Sequence, residues 1–96
     1  MTINYPEKKV KQEIKDYLTA RQIYFFMPVP TGYGRRVIPD FIVCYRGRFI
    51  ALECKSDVGT TSAWQDRELA MIRGSGGVAV VCKAPVHLDV LKEALR

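Results

Sequence analysis

The spacing of apolar residues changes several times along the chain, which predicts a mixed α/β domain. In the first segment apolar residues recur at helical spacing with lysines mostly between them, so a helix is predicted from Pro6 to about Gln22. Its apolar stripe consists of Val10, Ile14, Tyr17 and Leu18. Residues 23–29 are then predicted to form a strand, which ends at Pro28 and Pro30 because proline cannot donate a ladder hydrogen bond.

Two apolar runs flank Arg46-Gly47 and predict a β-hairpin. The runs are residues 38–45 and 48–54, and both are rich in β-branched and aromatic residues. Gly47 suits a two-residue turn, in which a positive φ is needed. Both runs are apolar on both faces, which predicts central strands that are covered on both sides.

The hairpin register decides which polar side chains meet at its open end. If Tyr45 pairs with Arg48, paired residue numbers sum to 93, and Asp40 lies opposite Glu53. Directly opposed Cβ atoms lie about 4.5–5.5 Å apart. Lys55 follows Glu53 by two residues and therefore shares its face. Two carboxylates this close need a bound cation or a raised pKa. The alternative is a pair of strand-end carboxylates that face solvent, with the lysine as their ion-pair partner.

The rest of the chain completes a mixed sheet flanked by helices. Ser62 to Gln65 has the form of a capping box and predicts a second helix to about Arg73. A glycine-rich segment at residues 74–77 ends it, and Val78–Cys82 is predicted to be a buried strand. A last helix is predicted from Ala84-Pro85. The order α-β-β-β-α-β-α implies a right-handed parallel crossover from the third strand to the fourth.

Two polar residues interrupt the predicted helix stripes. Glu7 lies seven residues before Ile14 and is nearly in line with it, so its carboxylate is aimed toward the core side. The alternative is a first-turn acid that the helix dipole favours. Gln65 lies on one stripe with Leu69 and Ile72, and its alternative role is that of the capping partner.

The segment before Pro39-Asp40 is a glycine-punctuated loop, residues 31–36, that carries Tyr33, Arg35 and Arg36. Such a loop can hold a phosphate backbone, with the tyrosine stacked on a base or sugar. The alternative is a solvated connection whose charges have no partner.

Composition narrows the remaining possibilities. The 96 residues suit one domain, residues 1–96, and the excess of 15 basic over 10 acidic residues gives a charge of +5 that favours a polyanionic partner.

Three cysteines without C-x-x-C spacing, Cys44, Cys54 and Cys82, are expected to be reduced and buried. The single histidine, His87, is expected to be structural or exposed, which leaves a zinc hydrolase with little support. No signal-peptide or membrane-spanning run is found, so a cytoplasmic location is expected.

The ordered set of polar motifs resembles the PD-(D/E)xK nuclease superfamily and, within it, a stand-alone VRR-NUC domain. The motifs that carry the resemblance are Glu7, Arg35-Arg36 before Pro39-Asp40, Glu53-Cys54-Lys55, and Gln65. The resemblance implies a restriction-endonuclease-like αβββαβ core and Mg²⁺- or Mn²⁺-dependent phosphodiester hydrolysis.

The resemblance also implies roles for these residues. Asp40, Glu53 and the backbone carbonyl of Cys54 would ligate the metal, and Glu7 would complete the site directly or through water. Lys55 would position or help activate the attacking water. Gln65 matches a polar position of the family. DNA contacts would come from Tyr33, Arg35, Arg36, Lys8 and Lys9.

The substrate implied by the resemblance is branched DNA. VRR-NUC domains occur in larger DNA-repair nucleases and as small phage or bacterial proteins, and the small members resemble Holliday junction resolvases that act as homodimers. A dimer offers two active sites for two symmetric strands. The apolar residues 24–27 would be a candidate interface if they lie at the sheet edge. Three alternatives remain open: a flap or other structure-selective nuclease, a sequence-specific nuclease, and a non-catalytic nucleic-acid-binding module.

Overall fold

A computed structural model describes residues 4–30 and 37–96 and places seven elements in the predicted order. They are α1 (Glu7–Ala20), β1 (Tyr24–Phe26), β2 (Phe41–Tyr45), β3 (Arg48–Lys55), α2 (Ala63–Gly74), β4 (Val78–Lys83) and α3 (His87–Ala94). The strands form one sheet in the order β1-β2-β3-β4. The pairs β1–β2 and β2–β3 are antiparallel, and β3–β4 is parallel. The predicted mixed sheet flanked by helices is thus confirmed.

The hairpin has the predicted register. Tyr45 pairs with Arg48, and the ladder continues to the pair of Phe41 with Leu52. Arg46 and Gly47 have φ values of 53° and 76°. Positive φ at both central residues is what a two-residue hairpin turn needs to match the twist of its strands. Because the hairpin fixes its own register locally, its open end brings residues near 40 and 53 together.

The helices cover the two faces of the sheet unequally. On one face α1 and α3 pack over a core that includes Phe41, Val43, Ile50 and Leu52, all fully buried. On the other face α2 packs over a smaller cluster, whose buried members are Ala51, Leu69 and Ala79.

The prediction that both faces of the hairpin are covered is wrong at its turn end. Phe49 is half exposed and Cys44 is exposed, although Cys54 and Cys82 are buried as predicted. The physical reason is the position of α2. Because α2 packs mainly over β4, the turn end of β2 and β3 is left open on this face.

The first strand is shorter than predicted, with Tyr24–Phe26 in place of residues 23–29. Among the described strands it pairs only with β2, from Tyr24 opposite Cys44 to Phe26 opposite Ile42, and it lies at the edge of this sheet. Pro28, which has no N–H, follows soon after. Tyr24 and Phe26 are largely exposed, so this edge remains a candidate surface for pairing.

The last helix begins at His87 and not at Ala84-Pro85, because the ladder of β4 extends further than predicted. The amide of Ala84 donates to the carbonyl of Lys55 at 3.2 Å and prolongs the pairing of β3 with β4. His87 is buried, and its Nε2 lies 2.8 Å from Glu13 Oε1 of α1. Its role is therefore structural. Within residues 4–30 and 37–96, no helix has the length and apolar character needed to cross a membrane.

Candidate active site

Asp40 is held at the open end of the hairpin by a backbone hydrogen bond. It immediately precedes β2, one residue beyond the last ladder pair, Phe41 with Leu52. Its Oδ2 accepts a hydrogen bond from the amide of Cys54 at 2.7 Å. Because that amide belongs to β3, the ladder itself fixes the orientation of the carboxylate. The prediction that the two acids meet at this end is confirmed.

Glu53 is a buried carboxylate with an unusual pKa. Its side chain is only 6% exposed. Burial, followed by the negative charge of Asp40, raises its pKa to about 7, although the nearby Lys55 ammonium opposes the shift. The end of the sheet therefore carries a carboxylate whose negative charge is incompletely compensated by the surrounding protein.

Gln65 joins the start of α2 to this carboxylate and has the predicted capping role, while its role in catalysis stays a prediction. Its Oε1 accepts from the amide of Ser62 at 2.9 Å, and the Ser62 hydroxyl accepts from the Gln65 amide at 3.1 Å. These two bonds form the predicted capping box. Its Nε2 donates to Glu53 Oε2 at 2.9 Å. The helix cap thus orients a side chain that in turn orients the buried acid.

Two lysines form ion pairs with the acids, and one of them was not predicted. Lys55 Nζ lies 3.7 Å from Glu53 Oε2, as the shared strand face predicts. Lys11 Nζ lies 3.3 Å from both Glu7 Oε2 and Asp40 Oδ1. Lys11 follows Glu7 by four residues on α1, and this spacing is the sequence signal that could have identified it. Burial lowers the pKa of Lys11, but the carboxylates of Asp40 and Glu7 outweigh this effect and leave the pKa raised.

The structure brings most of the predicted site residues together. Asp40, Glu53, Lys55 and Gln65 are joined by the contacts above, and Glu7 is linked to Asp40 through Lys11. The role of the Cys54 carbonyl as a ligand stays a prediction. Burial raises the pKa of the Cys54 thiol far above its usual range, so the thiol stays protonated.

The predicted DNA-contacting residues are only partly described. Tyr33, Arg35 and Arg36 lie outside the described residues. Lys8 and Lys9 are exposed on α1, and the Lys9 ammonium lies 4.6 Å from the centroid of the Tyr5 ring. These two lysines are therefore accessible to a polyanion.

The predicted metal site has few protein ligands. In the described part of the chain, no group of three or more His, Cys, Asp or Glu side chains is positioned to hold a metal ion. Two neighbouring carboxylates are nevertheless what Mg²⁺ commonly takes from a protein, because the ion keeps several of its waters. The Lys11 ammonium between Glu7 and Asp40 shows that a cation is accommodated beside these acids. A hard divalent cation that retains water ligands stays a prediction for these residues.

Comparisons with protein-family models, with curated proteins and with solved structures found no match to the chain. Its function must therefore be inferred from the chemistry of its own residues.

Proposed function

We propose that this protein is a metal-dependent endonuclease that hydrolyses phosphodiester bonds in branched DNA and acts as a homodimer on four-way junctions. One observation carries the proposal. A buried glutamate lies beside a fixed aspartate and contacts a lysine, all at one end of a β-hairpin. This arrangement supports the resemblance to the PD-(D/E)xK nucleases and their restriction-endonuclease-like core.

The acids supply the oxygen ligands for the cation. Asp40, Glu53 and the carbonyl of Cys54 would hold Mg²⁺ or Mn²⁺, with Glu7 bound directly or through a water. When bound, such an ion lowers the pKa of a coordinated water and offsets charge on the phosphate. The hydrogen bond from Cys54 to Asp40 and the one from Gln65 to Glu53 keep both carboxylates in place before the metal arrives.

Lys55 acts on the reacting groups. Its ammonium lies beside Glu53 and its side chain is only 13% exposed, so few water molecules screen its charge. In this position it can hold the attacking water through a hydrogen bond and stabilise negative charge that develops on the phosphate. Because it extends from the same strand as Glu53, its distance from the metal ligand is fixed by the backbone.

DNA binding would use the basic residues around this end of the fold. Lys8 and Lys9 are exposed on the helix that carries Glu7, and Arg35, Arg36 and Tyr33 precede Asp40 in the sequence. A single small domain covers little duplex, so a second copy would enlarge the basic surface and present a second active site to the opposite strand. The edge strand β1, with its exposed Tyr24 and Phe26, is the candidate contact.

The substrate class is tested by cleavage of a four-way junction and of a linear duplex of matched sequence in Mg²⁺ or Mn²⁺. We expect paired, symmetric nicks in the junction and none in the duplex. Equal cutting of both substrates would support the nuclease activity but contradict the selectivity for junctions. Faster cutting of a flap would indicate a flap nuclease, and cutting confined to one base sequence would indicate a sequence-specific nuclease. Binding of the junction without cutting under all conditions would favour a non-catalytic module.

A further inference from the structure

Lys11 links two acids that come from separate elements of the fold. Its Nζ lies 3.3 Å from Glu7 Oε2, one turn earlier on α1, and 3.3 Å from Asp40 Oδ1, in the segment that enters β2. The side chain of Lys11 is one-third exposed, so its ammonium can move into solvent without loss of core packing. The contact is therefore both specific and exchangeable.

The two oxygens of Asp40 have different partners. Oδ2 accepts from the Cys54 amide at 2.7 Å, and this bond continues the ladder at the end of the hairpin. Oδ1 faces the Lys11 ammonium. Oδ1 accepts no backbone hydrogen bond from β3, so it is the oxygen that a second cation reaches without competing with the ladder, and Lys11 lies against it.

The charges of the site favour such an exchange. With every group ionised, Glu7, Asp40 and Glu53 outnumber Lys11 and Lys55 by one negative charge. A divalent ion added beside both lysines would leave the cluster with one positive charge, whereas withdrawal of Lys11 leaves it neutral. Because like charges at close range repel most strongly where water is scarce, the metal and the ammonium oppose each other's presence.

We propose that Lys11 is the resident counter-ion of the metal-free site and that a divalent cation displaces it from Asp40. Lys11 stabilises the fold without metal and, for the same reason, lowers the affinity of the site for metal. This inference rests on the proposed function, because it presupposes that Asp40 is a metal ligand.

The test is calorimetric titration with Mn²⁺ alone, in the absence of DNA. Because exchange of one or two partly exposed ion pairs carries a modest energy, Lys11→Met is expected to bind Mn²⁺ about three- to tenfold more tightly than wild type. The same variant should melt at a lower temperature without metal and show a larger rise in Tm with Mn²⁺. Lys15→Met is the matched control, since it removes the same charge from an exposed position one turn further along α1.

The outcomes separate this inference from the proposed function. Affinity in Lys11→Met that equals or falls below wild type overturns the counter-ion role, and so does an equal gain in Lys15→Met. If Asp40→Asn binds Mn²⁺ as tightly as wild type, the proposed metal site itself fails. If Asp40→Asn loses binding while Lys11→Met shows no gain, only the role of Lys11 fails.

Discussion

Replacement of Lys55 by methionine is expected to lower the rate of junction cleavage by roughly a thousandfold, the effect typical of losing one preorganised group that stabilises transition-state charge. Methionine keeps most of the apolar stem and removes only the ammonium. The fold should remain, because within residues 4–30 and 37–96 the side chain contributes one ion pair at the end of β3. The measurement is single-turnover cleavage at saturating protein, so that weaker DNA binding does not limit the rate.

The control for this variant is Lys83→Met. Lys83 lies opposite Lys55 in the register of β3 and β4. The substitution Lys83→Met therefore removes the same charge one strand away. We expect a much smaller loss of rate from Lys83→Met. Cleavage by Lys55→Met at a rate close to wild type would contradict a role of Lys55 in the cleavage step. An equal loss of rate in both variants would contradict it too.

Replacement of Glu53 by glutamine is expected to flatten the pH dependence of stability in the metal-free protein. Folding raises the pKa of Glu53 from 4.5 to about 7, so between these values the folded protein keeps a proton that the unfolded chain has lost. Stability from this group is therefore present below pH 4.5 and is lost as the pH rises toward 7 and beyond. The loss is on the order of 3 kcal/mol in the free energy of unfolding. Glutamine does not ionise and removes the effect.

This expectation is checked by urea unfolding between pH 4.5 and 8 in EDTA. Other titrating groups contribute to both curves, so the difference between wild type and Glu53→Gln reports Glu53. Glu93→Gln, at a largely exposed position on α3, is the control and should leave the pH dependence as in wild type. Parallel curves for wild type and Glu53→Gln would contradict the raised pKa.

The features that the sequence predicted well are those set by short-range chemistry. The register from Tyr45 and Arg48 follows from a two-residue turn, and the cap at Ser62 and Gln65 follows from side chains that bond their own helix start. The hairpin register alone brings Asp40 and Glu53 together, whereas the contact of Gln65 with Glu53 also requires α2 to pack against the sheet. The core of the site was therefore predictable.

The features that sequence reasoning missed depend on how distant elements pack. An apolar strand pattern does not show which helix covers which face, so the exposure of Cys44 and Phe49 could not be inferred. The role of Lys11 depends on the placement of α1 against the entry to β2. Its spacing from Glu7 was visible, but the same spacing occurs in ordinary surface ion pairs of helices.

Metal-dependent cleavage that requires Asp40 is tested most simply on a synthetic four-way junction. Wild type and Asp40→Asn are each assayed with Mg²⁺, with Mn²⁺ and with EDTA. Asparagine keeps an oxygen that can accept the Cys54 hydrogen bond, so the hairpin end should persist while the charged metal ligand is lost. We expect cutting by wild type with metal, no cutting in EDTA, and no cutting by Asp40→Asn although this variant still binds the junction. Cutting in EDTA, or by Asp40→Asn at the wild-type rate, would contradict this expectation.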